Sequence, residues 1–96
     1  MDKQHVLALL TGSKPQLQQQ FGVNRLALFG STARGTARAD SDVDVLVAFD
    51  GPATAKHYFG VQFYLEDLLG RPVDLVTDKA LRPELRPHIE RDMIHV

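Results

Sequence analysis

Apolar residues return along the chain at two periods, and the switches between them mark the elements. Asp2 stands before a periodic stretch and predicts a capped helix over Lys3 to Leu10, ended by Thr11-Gly12. Ser13, with Pro15 just inside, reads as a second helix start that runs through Leu17 to Phe21 and stops at Gly22. Val23 to Phe29 ends in Leu26-Ala27-Leu28-Phe29, too apolar for a strand with one wet face, and predicts a buried strand stopped by Gly30. Ser31 to Asp40 is small and polar, which suits a turn, a short helical piece and a loop. Val43 to Phe49, apolar and β-branched, predicts a second strand that Asp50-Gly51-Pro52 breaks. From Lys56 to Leu69 helical spacing returns at Tyr58, Val61, Leu65, Leu68 and Leu69, with Gly70 at the C-terminal cap position. Val73 to Thr77 predicts a third strand, Ala80 to Met93 a terminal helix interrupted by Pro83 and Pro87, and Ile94 to Val96 a short edge strand. Strands alternating with helices give an α/β class, a small sheet flanked by helices.

Composition narrows the function classes. With 96 residues the chain suits one domain, residues 1–96. Eleven basic residues against twelve acidic ones leave a net charge of -1, so no direct nucleic-acid binding is expected. The absence of cysteine removes disulfides, zinc–thiolate sites and cysteine nucleophiles. No apolar run approaches the ~20 residues of a membrane span. The apolar stretch Val6 to Leu10 is too short for a secretory signal, and the expectation is a cytoplasmic protein.

The candidate chemistry lies in the first half. Gly30-Ser31 closes a buried strand, ten residues intervene, and Asp42-Val43-Asp44 leads into the next strand. Residues two apart on a strand share a face, so Asp42 and Asp44 converge while Val43 points into the core. Two close carboxylates repel each other unless a cation lies between them, and hard carboxylate oxygens suit Mg²⁺. Gly30 lets backbone approach a ligand, and the free N–H groups of a short helix beginning near Ser31 attract phosphate. Together these halves describe a nucleoside-triphosphate site. An EF-hand loop beginning at Asp40 is excluded by Val45 and Gly51 at its glycine and glutamate positions. A P-loop is excluded because Thr36-Ala37 follows Gly35 where Lys-Ser/Thr is needed.

The run Gly30-Ser31-Thr32-Ala33-Arg34-Gly35, followed by Ser41-Asp42-Val43-Asp44-Val45-Leu46-Val47, resembles the minimal nucleotidyltransferases of the DNA polymerase β-like superfamily. The likeness continues through Leu65 to Val76, where such proteins carry a third carboxylate, here Asp74, and into the Leu81 to Val96 tail. It implies a small mixed β-sheet flanked by helices and divides the chain into N-terminal helices (1–22) and a catalytic α/β core (23–96). The resemblance implies two Mg²⁺ ions held by Asp42, Asp44 and Asp74, ATP as substrate, and Asp74 as acceptor of a hydroxyl proton. Gly30 and Ser31 would bind the nucleotide. Arg34 would contact phosphate or, equally, pair with a nearby Asp to fix the loop. Relatives of this size accompany HEPN-domain RNase toxins, which implies an antitoxin that transfers AMP to a tyrosine of its toxin. A non-catalytic binding antitoxin and a stand-alone adenylyltransferase of a small hydroxyl compound are the alternatives. The missing acceptor domain speaks for a separate acceptor molecule.

Among the remaining residues, Glu66 and Asp67 are expected on a solvated helix side, and Asp78 at a wet strand end where it caps the following turn. His57, His88 and His95 lack partners at ligand spacing. Phe59, Phe63 and Tyr64 suit helix packing better than base stacking. Phe59 and Phe63, however, cannot all share the face of Val61, Leu65 and Leu68, so part of this helix is expected in an interface with a partner or a second copy.

Overall fold

The computed structural model describes Asp2 to Val96. Its elements follow the chain as α1 (Lys3–Phe21), β1 (Val23–Phe29), α2 (Gly30–Arg34), β2 (Val43–Phe49), α3 (Ala55–Leu69), β3 (Val73–Thr77), a 3₁₀ turn (Asp78–Ala80), α4 (Arg86–Arg91) and β4 (Ile94–His95). The strands form one sheet in the order β3-β2-β1-β4. β1 runs antiparallel to both β2 and β4, and β2 runs parallel to β3. The sheet is therefore mixed, as the resemblance implies.

The two sheet faces are covered differently. Leu26 and Leu28 of β1, Val43, Val45 and Val47 of β2, and Val73 and Leu75 of β3 pack with Val6, Leu10 and Leu17 of α1 and Val61 and Leu65 of α3. The alternate positions Ala27, Phe29 and Leu46 meet Leu81, with Val76, Ile89 and Met93 at the margin. Residues of opposite parity point to opposite faces, so helices α1 and α3 cover one face and the C-terminal segment covers the other.

The N-terminal helices predicted over Lys3 to Leu10 and Ser13 to Phe21 are one helix. Its buried residues, Val6, Leu10, Ser13 and Leu17, keep a single stripe across Gly12 and Pro15. Ser13 turns inward and its hydroxyl donates to the Leu10 carbonyl at 2.9 Å, so it serves the helix interior and not a cap. The terminal helix also differs from expectation. Only Arg86–Arg91 is α-helical, with Pro87 in its first turn, because a proline donates no hydrogen bond to a preceding turn. Thr54 caps α3, its hydroxyl accepting from the His57 N–H at 3.2 Å. Helices α1 and α3 approach closely at Gly60, where a Cβ would meet the Phe21 ring at 3.0 Å or less.

Candidate functional site

Asp44 and Asp74 are brought together by strand register. β2 and β3 pair in parallel with Asp44 opposite Asp74, between the buried pairs Val43–Val73 and Val45–Leu75. The flanking residues point into the α1/α3 core, so the two carboxylates project from the other face. Asp42 lies one residue before β2, where no ladder bond holds it. Its neighbour Val43 donates its N–H to the Pro72 carbonyl at 2.9 Å, which draws the start of β2 against the start of β3.

Gly30 completes this edge from the end of β1. Phe29 pairs with Asp44, and Gly30 turns the chain with φ of 73° into α2. A Cβ on Gly30 would overlap Oδ2 of Asp44 and lie 2.8 Å from its Cγ. The backbone of the turn is thus packed directly against the carboxylate, a contact that any other residue would obstruct. Ser31 follows in the first turn of α2, half-buried, with its carbonyl accepting from the Thr36 N–H at 2.9 Å. The first N–H groups of a helix have no acceptor within it.

Electrostatics bear the mark of this crowding. Burial pushes the Asp44 carboxyl up to about 6, assisted by the negative charges of Asp74 and Asp42 and opposed by the Arg34 guanidinium. Among the described residues, no three His, Asp or Glu side chains are gathered tightly enough to hold a metal ion. The donor chemistry nonetheless fits Mg²⁺: the carboxylates of Asp74 and Asp42 are near enough to raise the Asp44 carboxyl, all are oxygen donors, and the negative charge around Asp44 lacks a full counter-charge.

Arg34 is half-exposed and pairs with Asp92 at 3.4 Å, tying α2 to the end of α4. Pairing with a nearby Asp is the second of the two roles open to it. Asp92 gave no signal in sequence, because its partner lies 58 residues away. Glu66 is not a solvated residue. Its Oε2 accepts the Val73 N–H at 2.9 Å and satisfies the first donor of β3. Asp78 does not cap the 3₁₀ turn. Thr77 does, accepting the Ala80 N–H at 3.3 Å, while Asp78 pairs with Arg86 at 3.1 Å and Arg25 at 3.7 Å. Phe59 and Phe63 stand exposed on α3, outside the packing expected of them.

Residues 11–96 match the family described as nucleotidyltransferase domain. The chain belongs to that family. Over 93 residues it is 37% identical to protein adenylyltransferase MntA of Thermococcus cleftensis, an overlap covering 97% of this chain and 94% of that protein. A solved minimal nucleotidyltransferase superposes with a TM-score of 0.83 at 39% identity, covering 98% of this chain and 95% of the other. A complex of tri-AMPylated HEPN toxin with MNT antitoxin from Shewanella oneidensis shares the fold, with a TM-score of 0.60, 18% identity, and coverage of 97% and 66%. The molecule has the minimal nucleotidyltransferase fold and is an enzyme of the nucleotidyltransferase class. Among the described residues no helix is long and apolar enough to cross a membrane.

Proposed function

We propose that this nucleotidyltransferase transfers AMP from ATP to a tyrosine hydroxyl of a HEPN-domain toxin in the cytoplasm and neutralises the toxin by that modification. The observation that carries the reading is the in-register Asp44–Asp74 pair with the Gly30 turn packed against Asp44. The adenylyltransferase name of the Thermococcus relative and the AMPylated toxin in the Shewanella complex support the acceptor class.

Each residue then has a task. Asp42, Asp44 and Asp74 would hold Mg²⁺, two ions in the full site, which supply charge neutralisation to the triphosphate and to the leaving pyrophosphate. The Gly30-Ser31 backbone and the Ser31 hydroxyl orient phosphate oxygens beside Asp44. Asp74, exposed at the start of β3, accepts the proton of the incoming tyrosine hydroxyl. The hydroxyl oxygen bonds to the α-phosphorus, the bond from that phosphorus to the bridging oxygen breaks, and pyrophosphate leaves. Arg34 holds Asp92 through Nη1, which leaves the rest of its guanidinium to reach a phosphate.

Intact mass of a HEPN-domain protein after incubation with the enzyme, ATP and Mg²⁺ tests the proposal. The expected result is a gain of one or more AMP units, abolished by EDTA and by Asp74→Asn but kept by Asp78→Asn. Toxin neutralisation by Asp42→Asn/Asp44→Asn equal to wild type would overturn it in favour of binding alone.

A further inference from the structure

Helix α3 buries Val61, Leu65 and Leu69 against the sheet, yet its outer side is not polar. Phe59 and Phe63 are 49% and 64% exposed. Their rings stack with centroids 6.3 Å apart and 25° between planes, and Tyr58 packs edge-on against Phe59 at 5.2 Å. The residues that flank this stack are charged, and their order matters. At 3.6 residues per turn, Lys56, Phe59, Phe63 and Asp67 fall within an arc of about 80°. All four are exposed. The stripe therefore runs from a cation through two phenyl rings to an anion.

Such a stripe is complementary to itself when turned end over end. About a midpoint level with Val61, Phe59 lies on Phe63 of a second copy, and Lys56 falls within one residue, about 1.5 Å of helix rise, of Asp67 of that copy. The same contacts recur on the other side of the axis, which is the condition for an isologous interface. We propose that α3 is a homodimer interface, two copies pairing antiparallel across a two-fold axis between Phe59 and Phe63 on the exposed side of the helix. The rings meet at the centre and Lys56–Asp67 ion pairs close both ends. A helix from an unrelated protein would require the apolar rings but not opposite charges five and six residues to either side of their midpoint.

The interface leaves the acidic edge free. Asp44 and Asp74 project from the sheet face opposite α3, so a dimer carries two outward-facing sites. A single helix pair is smaller than the ~800 Å² per partner of a standard interface, which makes the association concentration-dependent. The net charge of -1 adds little repulsion between copies.

Sedimentation velocity of the full chain without nucleotide, over a thousandfold concentration range, reads this directly and does not depend on the transfer reaction. A reversible monomer–dimer equilibrium is expected. Phe63→Ser should abolish it without lowering the melting temperature. Lys56→Glu or Asp67→Lys alone should weaken it about tenfold, because like charges then meet at both ends, and the two together should restore it. The chain has no cysteine, so Phe59→Cys and Phe63→Cys each introduce a unique thiol. In a mixture of the two variants, the disulfide joining one of each should form ahead of either homodisulfide. A chain that stays monomeric at every concentration, a dimer indifferent to these substitutions, predominant homodisulfides, or a stripe covered only when another protein is added would overturn the proposal.

Discussion

The Arg71 guanidinium donates to the carbonyl of Ser41, the residue immediately before Asp42. It also donates to the carbonyl of Arg38 at 3.1 Å, and so grips both ends of the turn that Ser41 closes with its N–H and its hydroxyl. The next residue, Pro72, receives the Val43 N–H. Asp42 lies outside the β-ladder, and this clamp from the α3–β3 corner is what fixes the chain on either side of it. Arg71 Nε is buried without a hydrogen-bond partner, a cost the site accepts to bring the fork of the guanidinium onto the loop.

Arg71→Ala should free the turn, leaving the Ser41 carbonyl unbonded and the Arg38 carbonyl with only the Ser41 N–H. ATP affinity in Mg²⁺ is expected to fall about tenfold or more by calorimetry, with a stability loss of about 1–3 kcal/mol in denaturant titration. Arg71→Lys replaces the fork with a point donor and should recover only part of either quantity.

Gly30→Ala should abolish nucleotide transfer, because the new methyl group occupies the space of the Asp44 carboxylate and the backbone is strained at φ of 73°. Gly35→Ala is the matched control. It has φ of 79° but nothing within 4 Å of the added carbon, so it should cost about 1 kcal/mol of stability and retain transfer. Comparing initial rates with melting temperatures for both variants separates obstruction from strain.

The pH dependence of the metal-free protein has a definite sign. The folded state holds the Asp44 proton up to about pH 6, whereas the unfolded chain releases it near its ordinary value of 3.8. Between these values the native state binds more protons, so Asp44 makes stability fall as pH rises from about 4 to 6, and the loss persists above. Asp44→Asn should remove that slope in urea titrations with EDTA. At pH 7 it should stabilise the fold by about 1 kcal/mol, since solvent reaching the carboxylate screens the repulsion. Saturating Mg²⁺ should flatten the wild-type slope.

Gly12→Ala should stabilise the protein by about 0.5–1 kcal/mol. The residue sits inside α1, and an added Cβ meets nothing within 4 Å. Thermal melting checks it.

How far the fold is legible in sequence depends on where the information resides. Val23–Phe29, Val43–Phe49 and Val73–Thr77 fall where the sequence places them, because most of their apolar residues are buried in the sheet and composition marks them. Helix α1 shows the opposite case. Thr11-Gly12-Ser13 has the chemistry of a turn, but the burial stripe through Val6, Leu10, Ser13 and Leu17 overrides it. Asp42 and Asp44 are visible as a spacing. The pairing of Asp44 with Asp74 is not, since it depends on a strand 30 residues away and its register. Arg71, Glu66 and Asp92 carry no local pattern, because each meets backbone or a counter-ion supplied by a different element.

The parallel register of β2 and β3 joins the correctness of the fold to the integrity of the site. A slip of β3 by one residue would turn Asp74 inward beneath α3 and expose Val73 and Leu75 in its place. The misregistered chain would lose core packing and its paired carboxylate in the same movement. The α3 crossover therefore acts as a proofreading device: a molecule of this protein that has folded at all has already aligned the two carboxylates of its candidate site.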